Sequence, residues 1–326
     1  MRVLAGDIGG THTRLALVSV SARGMEVITE NHYPSRSAPA LRPLVQQFLG
    51  EIGTKPQRAG IAVAGPVVHG VCRTSNLPWV VSAKGIAEAS GIPRVVLLND
   101  FAALGHGLAR LQPVDVVTLQ PGRDDPKGVM AVIGAGTGLG EGFVLRGRSR
   151  VRVMASEGGH TDFAPHDETE WGLFEFLRAR YGHVSWERVL SGNGLVDLYH
   201  YLAGRGEVAQ HPEIAQEMRA AKDPAAVVSR HGLEGTDPLA ERALTLFAKL
   251  YGAQAGNLAL SVFATGGVYV AGGIAPQILA KLQDGTFMSA FLEKGRLSDV
   301  LAHIPVHVIV NPRVGLLGAA AEAARA

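Results

Sequence analysis

Val95-Val96-Leu97-Leu98-Asn99-Asp100-Phe101-Ala102-Ala103 is the stretch around which the chain is organised. Four apolar residues carry the signature of a short buried strand. They stop at an amide and a carboxylate, and an apolar, helix-like run then resumes. A polar pair at the carboxyl end of a buried parallel strand stands where ligands enter open α/β sheets. It also stands where a new helix needs an N-cap. For the pair alone, capping is the ordinary role, and a ligand role needs partners elsewhere in the chain.

Around this stretch the sequence alternates strands and helices. Arg2–Ala5, Leu15–Val20 and Met25–Tyr33 read as strands, the first two joined by a turn rich in glycine and hydroxyls, Gly6–Thr13. Leu44–Ile52 and Ala83–Ser90 have helical spacing, Ala59–Val63 is a buried strand, and Cys72–Trp79 is a polar loop of fixed shape. After the loop Pro121–Gly128 the pattern begins again: strand Val129–Ile133, glycine turn Gly134–Gly140, strand Glu141–Leu145. Strand, Gly/Thr turn, strand thus occurs twice, which suggests two duplicated α/β halves. Further on, Glu170–Tyr181, Leu195–Ala203, Pro238–Ser261 and Val314–Ala324 are helical, the last packing back on the first half. Gly267–Ala271 and Ile304–Val310 are strands, and Gly204–Asp237 is polar and irregular with a helical middle. Arg146, Arg148, Arg150 and Arg152 alternate as on a solvated hairpin face.

The bulk composition narrows the function classes. The chain has 326 residues, 47% apolar and 18% charged, which suits a globular protein with room for two cores. Its 41 glycines cluster after apolar runs, as backbone-lined ligand loops require. Lys plus Arg is 31 against 29 for Asp plus Glu, a formal charge of +2, so no strong field for nucleic acid or an anionic membrane is expected. One cysteine, Cys72, excludes an intrachain disulfide and argues against a cysteine-based zinc site. A cytoplasmic setting fits. The first strand starts at Arg2, so no signal peptide is expected. No apolar run reaches the roughly 18 residues that would cross a bilayer.

Three glycine-rich turns follow three apolar strands: Gly6–Thr13, Gly134–Gly140 and Gly266–Gly273. Exposed amides and hydroxyls in such turns can cradle phosphate. Residues 6–13 carry neither a Walker A motif nor a Rossmann fingerprint opening a helix, because the chain returns there as a strand. Asp7 beside such a turn either makes a turn-stabilising hydrogen bond or serves a Mg²⁺ ion held between it and phosphate. Glu157-Gly158-Gly159-His160 is a tight polar turn that aims both outer side chains at one spot. Glu187 follows in Ser185-Trp186-Glu187-Arg188. His160, Asp162 and His166 are too loosely spaced to favour a metal site.

These residues resemble a known family. Asp7-x-Gly9-Gly10-Thr11-x-x-Arg14, Leu98-Asn99-Asp100-Phe101, Gly134-Ala135-Gly136-Thr137-Gly138-Leu139-Gly140, Glu157-Gly158-Gly159-His160-x-Asp162-Phe163, Glu187-Arg188-x-Leu190-Ser191-Gly192 and Ala271-Gly272-Gly273 occur in the order found in bacterial ATP-dependent glucokinases of the Gram-negative group. The resemblance covers nearly the whole chain. It implies the actin-like ATPase (ribonuclease H-like) fold, an α/β architecture of two domains with a cleft between them. The domains are expected at 1–110 plus 301–326 and at 111–300. The resemblance also implies an ATP- and Mg²⁺-dependent kinase that converts D-glucose to glucose 6-phosphate, the first step of glycolysis. Asp100 would be the general base for the sugar 6-hydroxyl. Asn99, Glu157, His160 and Glu187 would hold the other hydroxyls, with backbone near Gly138 assisting. Gly6, Asp7, Ile8, Gly9, Gly10 and Thr11, with Gly136, Thr137, Gly272 and Gly273, would line the nucleotide. Asp7 would face Mg²⁺ through water, and no side chain is assigned as a direct metal ligand. Members are often homodimers. His12 departs from the family, which commonly carries Asn there, and the cysteine-rich zinc motif of the related sugar-kinase and repressor family is absent.

The chemistry agrees with the carry-over. Phosphoryl transfer needs positioning and charge neutralisation more than covalent help. A neutral sugar is read by directional hydrogen bonds, for which carboxylates, an amide and an imidazole supply acceptors and donors. Asp100, Glu157 and Glu187 crowded together would raise one another's proton affinity, as suits a base near neutral pH. Two other readings have less support. A sugar-sensing regulator of the same fold would be expected to carry a DNA-binding extension ahead of Asp7. A filament-forming or chaperone-like ATPase leaves the polar set at 157–187 without a purpose.

Overall fold

The structure, a computed structural model, describes residues 1–21, 24–74, 77–147 and 151–326. Residues 1–114 with 311–326 make one compact unit, and most of 115–310 makes a second. The boundaries fall at 114/115 and 310/311 and not at 110/111 and 300/301, because Val116–Gln120 and Val306–Ile309 pair with each other in the second unit's sheet.

In the first unit five strands lie in the order Gly24–Pro34, His12–Ser21, Arg2–Ile8, Arg58–Val63, Arg94–Asn99. The first three are antiparallel and the last three parallel. Helices supply the crossovers that parallel strands require. Leu41–Ile52 buries Leu41, Leu44, Val45 and Phe48, a one-sided stripe at helical spacing, and stops at Gly53 in the left-handed region. Ala83–Ser90 begins where the Ser82 hydroxyl accepts the Gly85 N–H at 3.0 Å. On the other sheet face, Val3, Ala5, Ala16 and Val18 pack against Leu316, Ala320 and Ala323 of the helix Val314–Arg325. That helix also meets Asp100–Leu108 backbone to backbone. A Cβ on Gly318 would overlap the Ala103 carbonyl, and one on Gly107 would overlap Val314. The expected return of the Ala-rich C-terminus is therefore a contact that only small side chains allow.

Val67–Val68, Val71–Arg73 and Val80–Ser82 form a small antiparallel ribbon, and the first two residues of the expected polar loop Cys72–Trp79 belong to its second strand. Its first turn is the pair His69-Gly70, both at positive φ (50° and 72°), as a two-residue hairpin requires. Strands of two and three residues are too short to show a period in sequence.

Five strands of the second unit run in the order Leu139–Arg146, Val129–Ala135, Val268–Ala271, Val306–Ile309, Val116–Gln120. Val129–Ala135 pairs antiparallel with the strand that follows it and parallel with Val268–Ala271. Arg2–Ile8 does the same with its own neighbours, so the duplication seen in sequence is a repeated topology. The helix Pro238–Val262 runs through this unit's core, burying Leu244, Phe247, Leu250, Tyr251 and Leu258. The helical middle expected within Gly204–Asp237 is two helices, Pro212–Ala220 and Pro224–Glu234, each opened by proline in its first turn. Of the alternating arginines, Arg146 pairs with Asp124 at 3.7 Å, while Arg148 and Arg150 lie outside the described residues.

Candidate active site

The carboxyl ends of three parallel strands in the first unit share one edge, with Ile8, Val63 and Asn99 in register. The glycine turn leaves from this edge. Its Gly9 N–H donates to the His12 carbonyl at 3.0 Å. From inside, the Ser35 hydroxyl donates to the Gly9 carbonyl at 2.8 Å, and the Ser35 N–H donates to the Thr11 carbonyl at 2.9 Å. Thr13 and Ser35, both buried, share a hydrogen bond at 3.0 Å. Ser35 therefore fixes the turn's shape, a role the sequence reading left inside a loop. Gly6 and Ile8 are buried in the strand, and a Cβ on Gly6 would come within 2.8 Å of Ile61 Cδ1. Their task is packing, and Asp7, Gly9, Gly10 and Thr11 are what the turn presents. His12 is exposed beside them.

Asn99 and Asp100 divide the two roles open in sequence. Asn99 Oδ1 accepts the N–H groups of Phe101 and Ala102 at 3.0 and 3.2 Å, so Asn99 is the N-cap of Asp100–Leu108. Its Nδ2 donates to the Gly65 carbonyl at 3.2 Å. Asp100, the first helical residue, accepts its neighbour's amide, Phe101 N–H to Oδ1 at 2.9 Å. Burial pushes its carboxyl from the ordinary 3.8 up to about 6, and the Asp7 carboxylate adds to the rise against the Phe101 amide. The expected source was Glu157 and Glu187; within its own unit the source is burial and Asp7. Asp7 is itself raised by burial, with Arg14 opposing and Glu30 adding.

In the second unit the turn after Val129–Ala135 is bound on several sides. Gly136 N–H donates to the Gly138 carbonyl and Gly192 N–H to the Gly136 carbonyl, both at 2.8 Å. Beneath it, the buried Tyr251 hydroxyl accepts the Ala135 N–H at 3.0 Å and donates to the Ala271 carbonyl at 3.2 Å. Tyr251 thereby joins the strands that lead into Gly136-Thr137 and Gly272-Gly273. Gly272 sits at φ +82°, and a Cβ there would overlap the Ala135 carbonyl, so the two turns touch by backbone alone. No signal in sequence marked Tyr251, a buried aromatic on a helix far along the chain.

The polar set of this unit converges. Glu187 Oε2 accepts the Leu139 N–H at 3.0 Å and occupies the space a side chain on Gly138 would need. His160 Nδ1 lies 4.0 Å from Glu187 Oε1, and its Nε2 lies 3.9 Å from Glu157 Oε2. Gly138, Glu157, His160 and Glu187 thus form one group, with donors and acceptors left facing solvent. Asp162 is engaged by His183 at 2.7 Å, and the backbone N–H of His166 donates to Glu170 at 2.8 Å.

Two α/β units built on one repeated topology, each with a phosphate-suited glycine turn at its sheet edge, define the actin-like ATPase class. The comparison with solved structures agrees. The glucokinase from an Antarctic psychrotroph covers 100% of this chain and 99% of its own, at 31% identity and TM-score 0.85. The ROK family glucokinase from Streptomyces griseus, solved in complex with glucose and AMPPNP, covers 100% of both chains at TM-score 0.69 and 21% identity. A glucokinase of a Nostoc species is 45% identical over 99% of both sequences. The family model described as Glucokinase matches residues 4–326, and the chain belongs to the glucokinase family.

Proposed function

We propose that this protein transfers the γ-phosphoryl group of ATP to the 6-hydroxyl of D-glucose, giving glucose 6-phosphate and ADP, with Asp100 as general base. The sugar oxygen forms a bond to the γ-phosphorus as the bond from that phosphorus to the bridging oxygen breaks, and the hydroxyl proton passes to Asp100. The observation that carries this reading is the division of labour at the strand end. Asn99 caps the helix, which leaves Asp100 as a carboxylate whose proton affinity lies near the working pH, where a general base is most effective.

Asn99, Glu157, His160 and Glu187 read the remaining hydroxyls, with the Gly138 backbone alongside. Family membership and the convergence of the last three within about 4 Å support this. Asp7, Gly9, Gly10 and Thr11, with Gly136, Thr137, Gly272 and Gly273, line the nucleotide. Their amides and hydroxyls suit phosphate, and the Streptomyces griseus relative was solved with AMPPNP. Gly6 and Ile8 stay with this group as backbone support.

No group of three or more His, Cys, Asp or Glu placed to hold a metal ion occurs among the described residues. The half-buried carboxylate of Asp7 fits a Mg²⁺ that keeps most of its ligands as phosphate oxygens and water. When bound, Mg²⁺ neutralises charge on the transferring phosphoryl group. Asp7 would face the ion through water.

The protein acts in the cytoplasm as a homodimer on this reading, supported by family resemblance. Among the described residues no helix is long and apolar enough to cross a membrane. Sedimentation reads the oligomer directly: a mass near the single-chain 34.3 kDa would contradict the dimer. A coupled assay of ATP with glucose, mannose and fructose tests the activity. Glucose is expected to be turned over best, and no ADP release with any hexose would overturn the reading.

A further inference from the structure

Glu141 stands apart from every role assigned above. It follows directly on the Gly136–Gly140 turn, on the strand Leu139–Arg146, and it is 2% exposed. A carboxylate is seldom buried this fully without a partner. Gln254, also buried, donates from Nε2 to Glu141 Oε1 at 2.8 Å. Asn257 Nδ2 in turn donates to Gln254 Oε1 at 3.1 Å. The long core helix Pro238–Val262 therefore holds one oxygen of Glu141 in place.

The other oxygen touches the sugar-reading turn. A Cβ on Gly158 would overlap Glu141 Oε2, and Ser156, whose Oγ accepts the Gly158 N–H at 3.0 Å, is the next residue such a Cβ would meet. One residue on, a Cβ on Gly159 would overlap the Leu139 carbonyl. The two glycines between Glu157 and His160 are thus pressed onto the strand Leu139–Arg146 at successive points. Glycine here is what lets the turn descend onto a buried carboxylate and a carbonyl.

We propose that Glu141 is a positioning residue for glucose: its carboxylate, tethered by Gln254, is the seat on which Gly158 rests, and the height of that seat sets where Glu157 and His160 point. This rests on the reading of Glu157 and His160 as hydroxyl binders. Burial also raises the Glu141 carboxyl, opposed by the Gln254 amide, consistent with an acid whose work is geometric. Glu141→Gln keeps the length of the side chain and an oxygen for Gln254, so it preserves the seat. Glu141→Asp keeps the charge but draws the carboxylate back by one methylene, and Gly158→Ala drives a methyl into Oε2 from above.

Steady-state kinetics on the full-length variants, with melting temperature alongside, test this. Glu141→Asp and Gly158→Ala are expected to raise KM for glucose about tenfold, the scale of a displaced hydrogen bond to a charged group. KM for ATP stays put and kcat changes far less than KM for glucose. Glu141→Gln stays near the wild-type KM for glucose. If Glu141→Asp does not fold, Gly158→Ala carries the test. Glu157→Gln and His160→Gln are the controls for the underlying reading. A raised KM for glucose in those two, with none in Glu141→Asp or Gly158→Ala, overturns the proposal and leaves the reading intact. A lowered melting temperature with both KM values unchanged assigns Glu141 a merely structural role and overturns it too. Unchanged KM for glucose in both controls overturns the reading itself, and the proposal with it.

Discussion

Asn99 caps the helix that Asp100 begins: Asn99 Oδ1 takes the Phe101 and Ala102 amides at 3.0 and 3.2 Å, and the carboxylate next to it shares the Phe101 amide, at 2.9 Å. An amide and a carboxylate cap helices about equally well. Asn99→Asp should therefore keep the cap, while losing the Nδ2 hydrogens that donate to the Gly65 carbonyl and, on the proposed reading, to the sugar. KM for glucose is expected to rise several-fold, as loss of one hydrogen bond implies. Asn99→Ala should in addition lose about 1 kcal/mol of stability, read by denaturant unfolding. An unchanged KM for glucose in Asn99→Asp would confine Asn99 to capping.

The Asp100 carboxyl sits at about 6 in the fold against an ordinary 3.8. A general base must be unprotonated, so kcat/KM is expected to be flat above that value and to fall about tenfold per pH unit below it. An acid limb with its midpoint near 4 would contradict the shift.

The same shift has a stability signature of opposite sense to that of a salt-bridged acid. Between 3.8 and about 6 the folded protein keeps a proton that the unfolded chain releases. Raising the pH through that window therefore costs stability. Asp100→Asn removes this loss, so its melting temperature should gain on the wild type as pH rises from 4 to about 6 and then run parallel. A constant difference across that range would argue against the shift.

Tyr251 braces the second unit's turns through the Ala135 N–H at 3.0 Å. Tyr251→Phe leaves that buried amide unpaired, at a cost of about 1–3 kcal/mol. Equilibrium unfolding in urea measures it, and a loss below about 0.5 kcal/mol would mean water replaces the hydroxyl. Because both turns proposed to line the nucleotide hang from these strands, KM for ATP is expected to rise more than KM for glucose.

Much of this was legible in local sequence, and the rest depended on contacts across it. The strand Arg94–Asn99 ending in a polar pair, the doubled strand–turn–strand and the turn Glu157–His160 are each contiguous, so short-range pattern finds them. Ser35 closes on Gly9 over 26 residues, and Tyr251 on Ala135 over 116; nothing in either local sequence marks them. The choice between Asn99 and Asp100 as cap rests on which side-chain oxygen accepts the Ala102 amide. The rise at Asp100 was expected, but its source, burial and Asp7, follows from strands brought side by side and not from neighbours in the chain. The ribbon strands Val67–Val68, Val71–Arg73 and Val80–Ser82 are not marked in sequence, because strands of two and three residues carry no period.

The most direct test of the account is single-turnover phosphoryl transfer by Asp100→Asn, beside its melting temperature and its affinity for glucose. Asn retains an oxygen for the Phe101 amide, so the variant is expected to fold and to bind glucose as the wild type does. Its rate should fall by about 10² to 10⁴, the range that loss of a general base produces. A folded, glucose-binding variant that transfers phosphate at close to the wild-type rate would contradict the assignment of Asp100 as the base.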